Sequence, residues 1–127
     1  MGEGGKLMIR GVRGATTVTA DSNDLVLQET RRLVEEMARS NDISPEDIAS
    51  VIVSTTTDIT SAFPARAVRG IEGWSYVPVI CTHEMNVPEA LEMCIRLLLH
   101  VNTDKTQQQI QHIYLNNAIA LRPDLLK

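Results

Sequence analysis

Met93-Cys94-Ile95-Arg96-Leu97-Leu98-Leu99 is the most apolar run of the chain, and its reading as helix or strand decides which fold forms around it. Upstream, Pro88-Glu89-Ala90-Leu91-Glu92 favours a helix through Leu99. The longer stretch Cys94 to Val101, ending in His100-Val101, suits a buried strand, and periodicity alone does not separate the two. An arginine stands at the centre of the run. A guanidinium is always charged, so in a dry setting it needs an anionic partner or a way out to water. The anion could come from the protein, with Glu84, Glu89 or Glu92 in reach along the sequence, or from a ligand.

Outward from this run the chain alternates strands and helices. Leu7 to Val18 reads as a first strand, with Gly11 and Gly14 where another group can approach closely. By the period of two, Arg10 and Arg13 point to opposite faces. Asp21 or Ser22 caps a helix to about Ser40, whose buried stripe is Val26, Thr30, Leu33 and Met37. Ser44-Pro45-Glu46-Asp47 marks a short helix, and a strand from Ala49 to Thr56 follows. Ala62 to Arg69 is a helical segment ending at Gly70 or Gly73, with Arg66 and Arg69 on one face. Trp74 to His83 reads as a strand with Glu84 at its end. Gln107 to Gln111 forms a helical turn, Ile113 to Leu115 a strand, and Ala118 to Leu121 another extended piece. This alternation predicts an α/β or α+β sheet domain.

At 127 residues the chain has the length of one domain, able to bury roughly two-thirds of its unfolded surface. Residues 1–6 read as a disordered N-terminal extension and 7–127 as a single domain. Aromatics make only 3% of the chain, so the core is aliphatic and base stacking has little to work with. The net charge of −4 leaves no global field for nucleic acid, so any anion site is local. Nine arginines stand against three lysines, a bias towards the planar fork that grips carboxylates in pairs of hydrogen bonds. Cys81 and Cys94 show no zinc-ligand spacing, and His83, His100 and His112 show none either. Two free thiols suit a reducing cytoplasm. No run approaches membrane-spanning length.

Several segments together form a recognisable pattern: Ile9-Arg10-Gly11-Val12-Arg13-Gly14-Ala15-Thr16-Thr17, Phe63-Pro64-Ala65-Arg66-Ala67-Val68-Arg69, Gly73-Trp74-Ser75-Tyr76-Val77-Pro78-Val79, Cys81 with Glu84-Met85, Cys94-Ile95-Arg96, and Leu121-Arg122-Pro123-Asp124-Leu125. From Met8 to Leu125, in one register, the chain resembles the trimeric monofunctional chorismate mutases of pseudo-α/β-barrel architecture. It departs from them in the six residues before Leu7, at Arg66 for a lysine, and at Ile80 for a threonine. The resemblance implies an α+β fold in which a mixed five-stranded sheet is backed by one long helix and short helices. It implies a homotrimer with active sites at the subunit interfaces, and it favours a strand for Cys94 to Val101.

The implied reaction is the rearrangement of chorismate, a dianion, to prephenate. One carbon–oxygen bond breaks as a carbon–carbon bond forms in a single pericyclic step, so no nucleophile, metal or cofactor is required. The enzyme must select a compact diaxial conformer and stabilise negative charge on the ether oxygen. Matched residue by residue, the resemblance gives Arg96 the ether oxygen and enolpyruvyl carboxylate. It gives Arg13 and Tyr114 carboxylate binding, and Glu84 with Cys81 the ring hydroxyl. Phe63, Ala65, Arg66, Arg69, Val79, Ile80 and Leu121 are further ligand contacts, with Arg122 in a closing tail. Two other classes fit parts of the pattern: a non-catalytic trimeric module that binds a small carboxylate, and a small trimeric imine-deaminase-like enzyme.

Overall fold

The computed structural model describes residues 7–121. The expected leader at 1–6 and the tail from Arg122 onward lie outside the described residues.

The apolar run resolves as a strand. Its neighbours explain why: the residues before it do not form a helix, because Glu89 and Met93 adopt positive φ (68° and 53°). Positive φ at non-glycine residues interrupts a right-handed helix. Asp58 fixes this entry by accepting the Met93 N–H at 3.0 Å, and Thr56 Oγ1 accepts the Cys94 N–H at 2.9 Å. The Thr55-Thr56-Thr57-Asp58 segment thus starts the strand.

The strands are β1 (Met8–Thr17), β2 (Ile48–Thr55), β3 (Val79–His83), β4 (Cys94–Thr103) and β5 (Ile113–Tyr114). They form one mixed sheet in the order β3-β2-β4-β1-β5. β4 is central and antiparallel to both β1 and β2, whereas β3 and β5 join in parallel at the edges. A central strand explains the apolar run, since Ile95, Leu97, Leu99 and Val101 are buried on the core face and Cys94 is buried on the other, against Ala15 and Ala118. The other face receives Arg96, Leu98 and His100.

The long helix α1 (Asn23–Ser40) starts where Ser22 accepts the Leu25 N–H at 3.1 Å. Its buried residues are Val26, Thr30, Leu33, Val34 and Met37, which close over one face of the sheet. Gly14 is the point of nearest approach: a Cβ there would lie 2.4 Å from Met37 Sδ. The close approach expected at this glycine is therefore made by the helix. Arg31, Arg32 and Arg39 pair with Glu35, Glu29 and Glu36 along the outer face of α1. At the helix end the buried Asn41 side chain donates to the Met37 and Gln111 carbonyls and accepts the Gln111 N–H, tying α1 to the approach of β5.

Three expectations are corrected. Trp74 to Pro78 is not strand, although Trp74, Tyr76 and Val77 are β-formers; the Trp74 N–H bonds to Ile71 O and the Val77 N–H to Trp74 O. These consecutive turns bury Ile71, Trp74 and Val77 at a spacing of three, and β3 begins only after Pro78. Ala118 to Leu121 is not extended but belongs to a 3-10 helix over Asn116–Leu121. Asn116 turns the chain with φ 56°, and its amide donates to Thr16 Oγ1, Thr17 O and Glu29 Oε1. Finally, the helical segment after Ala62 is confined to α2 (Ala65–Arg69).

Candidate active site

The helices α1 and α2 cover one face of the sheet, and the opposite face carries most of the residues expected to do chemistry. Register sets them in rows across the strands. Ala15 pairs with Tyr114 on one side and Arg96 on the other, while Ser54 pairs with Arg96 and with Thr82. One row therefore runs Tyr114, Ala15, Arg96, Ser54, Thr82. The adjacent row is Arg13, Leu98, Ile52, Ile80. Glu84 lies two residues past Thr82, and its N–H extends the pairing by donating to Thr55 O at 2.8 Å.

A cavity of ≈ 320 Å³ opens over these rows, lined among others by Arg13, Ser54, Glu84, Arg96, Tyr114 and Leu121. Arg96 Nε lies 3.4 Å from Glu84 Oε2, and the Ser54 hydroxyl donates to the same oxygen. The central arginine thus has both things it needed, a carboxylate partner and an outlet to the open cavity. Its side chain is 44% exposed and that of Glu84 27%. An ion pair this open is worth only ~0–1 kcal/mol, too little to account for an arginine in the central strand as a stabilising device. Cys94, at the foot of the row, is different: burial pushes its thiol up from the ordinary range, with Arg96 pulling weakly the other way. It is a packing residue, set against Ala15 and Ala118.

Not all the expected residues meet here. Cys81 and Glu84 are three apart on and just beyond β3, so they emerge on opposite faces of the sheet. Cys81 faces α2, where its Sγ accepts the Ala65 N–H at 3.4 Å. With Phe63 and Arg66 it lines a second cavity of ≈ 570 Å³. Within one chain, the pairing of Glu84 with Cys81 on a single ring hydroxyl is therefore not formed. Ala65 is buried at the start of α2 and Val79 half-buried. Arg69 is exposed on α2, and Ile80, 64% exposed, stands on the uncovered face outside both cavities.

Ser54, Ile52 and Leu98 line the first cavity without having been singled out in the sequence. Their signal was the alternation Ser50-Ile52-Ser54, but it locates a site only when β2 is known to lie beside β4. Among the described residues there is no cluster of three or more His, Cys, Asp or Glu suited to a metal ion, and no helix is long and apolar enough to cross a membrane.

The family model for chorismate mutase type I matches residues 9–125. The chain is 48% identical over 119 residues to the chorismate mutase AroH of Bacillus subtilis, covering 94% of each. It is 46% identical over 119 residues to the AroH of Thermus thermophilus, covering 93% of this chain and 97% of that one. A solved chorismate mutase from Clostridium thermocellum superposes with a TM-score of 0.85 at 44% identity, over 87% of this chain and 98% of the other. Both the two-cation cavity on an uncovered sheet face and a match running nearly the full length of the chain lead to one assignment: this chain belongs to the type I chorismate mutase family.

Proposed function

We propose that this chain converts chorismate to prephenate at composite sites in a homotrimer, each site joining the Arg96 cavity of one subunit to the Phe63, Arg66 and Cys81 cavity of a neighbour. The reaction is that of the family, an intramolecular transferase step serving aromatic amino-acid biosynthesis. The observation that carries the composite reading is the split on β3, which separates Cys81 from Glu84 in a single chain. A second subunit reunites them. The same assembly would cover Ile52, Leu98 and Ile80, an apolar row that no helix among the described residues shields.

In this arrangement Arg96 donates to the ether oxygen, where negative charge grows as the carbon–oxygen bond breaks, and to the enolpyruvyl carboxylate. Arg13 and Tyr114 hold carboxylate oxygen, and Glu84 with the neighbour's thiol holds the ring hydroxyl. Arg66 and Arg69 on α2 add positive charge suited to a dianion. Phe63 and Leu121 form apolar walls that favour the compact conformer, and Ala65, Val79, Ile80 and Arg122 are further substrate contacts. An acceleration of at least ~10⁶ corresponds to about 8 kcal/mol. One donor placed on the developing charge supplies roughly 3–4 kcal/mol, so conformer selection must supply much of the remainder. Residues 7–127 act as a single domain, and the two free thiols suit a cytoplasmic setting.

Sedimentation equilibrium combined with a dilution series of chorismate turnover tests the assembly. Three chains of 14.0 kDa give a species of about 42 kDa. Specific activity should fall as dilution dissociates it, whereas a monomer of undiminished specific activity would overturn the composite site.

A further inference from the structure

We infer that Ser54 is a positioning residue for the rearrangement: it holds the Glu84 carboxylate by one oxygen, and so keeps that carboxylate from closing over the Arg96 guanidinium. The inference rests on the roles proposed above for Glu84 and Arg96.

Ser54 sits on β2 directly across from Arg96 on β4 and across from Thr82 on β3, so its side chain rises between the two charged groups on the uncovered face. Its hydroxyl donates to Glu84 Oε2, the oxygen that also lies 3.4 Å from Arg96 Nε. Two positive poles therefore meet one oxygen. Arg96 meets Glu84 from Nε at Oε2, the oxygen that the Ser54 hydroxyl also holds. A carboxylate and a guanidinium left to themselves favour a two-pronged contact in which both oxygens meet two N–H groups. That contact would consume the donors needed by the ether oxygen and the acceptor needed by the ring hydroxyl. The Ser54 bond holds Oε2 in the row and works against this collapse. Glu84 has three side-chain torsions and lies just past the end of β3, its N–H held by the Thr55 carbonyl, so a side-chain anchor is required to define where the carboxylate points.

The test uses the full-length chain and chorismate, with four variants. Ser54→Ala should lower kcat by about tenfold, the scale of one hydrogen bond to a charged group, with the thermal midpoint unchanged. Ser54→Thr, which keeps the hydroxyl, should restore most of the rate. In a Glu84→Ala background the further change Ser54→Ala should cost nothing more, because Ser54 acts through Glu84. Wild-type turnover in Ser54→Ala, an equal loss in Ser54→Thr, or losses that multiply in the double variant would each overturn the inference. Failure of the site reading would look different: Glu84→Ala alone would then turn over at the wild-type rate.

Discussion

Arg96 shows how a residue that is awkward for folding can be explained by chemistry. It occupies the central strand, opposite Ala15 and Ser54, where a valine or threonine would suit the sheet better. Its open pair with Glu84 contributes little stability. What the position does provide is direction, because β-sheet register aims the guanidinium at one point with its backbone held on both sides. Arg96→Lys keeps the charge but loses the planar fork. We expect kcat for chorismate to fall by about 10²–10³-fold, the cost of removing a donor from a developing oxyanion, with the thermal midpoint unchanged. Stopped-flow or continuous absorbance assays beside a melting curve separate the two effects, and near-normal turnover would remove Arg96 from the chemistry. Its need for an anion was legible from the sequence alone. Its partner was legible only as a choice among Glu84, Glu89 and Glu92, because the backbone of residues 88–93 had to be known before that choice closed.

At the scale of elements, long and strongly patterned segments were readable and short ones were not. The stripe Val26, Thr30, Leu33, Met37 gave α1 because burial on one side of a helix imposes a period that few other structures share. Trp74 to Pro78 failed because aromatic and β-branched residues suit turns that bury every third residue as well as strands that bury every second. The 3-10 helix at Asn116–Leu121 failed because a tertiary anchor, the Asn116 amide on β1 and α1, overrides a weak local preference. Gly14 ties element to packing. Its missing side chain lets β1 approach α1, and the nearest atoms to an added Cβ would be Met37 Sδ at 2.4 Å, Met37 Cε at 3.0 Å and Leu33 Cδ1 at 3.1 Å. Both side chains are fully buried with nowhere to retreat. Gly14→Ala should therefore destabilise the protein by about 1–3 kcal/mol in urea unfolding, as overpacking does. An unchanged midpoint would mean that α1 is not held against β1 at that distance.

At the scale of the whole molecule, the described residues form a sheet with one face covered by α1 and α2 and the other largely open, the 3-10 helix Asn116–Leu121 packing only at its Ala15 and Cys94 end. The helices α1 and α2 cover the Val12, Val51, Val53 and Leu99 side. The other side mixes an apolar row with a charged one, which is a poor surface for a monomer and a good one for an assembly that must bind a dianion between subunits. Fold and family were legible in the sequence because the pattern runs through nearly the whole chain. The separation of Cys81 from Glu84, on which the proposed division of the site rests, was not, since a linear motif containing both conceals the alternation that sends them to opposite faces. That division is tested most directly by subunit mixing. Arg96→Ala disables the first cavity and the pair Arg66→Ala with Arg69→Ala disables the second, so each variant alone should be nearly inactive. Denatured together in equal amounts and refolded, they should recover about a quarter of wild-type activity, the fraction of interfaces that draw both intact halves by chance. A mixture no more active than its components would contradict a site shared between subunits.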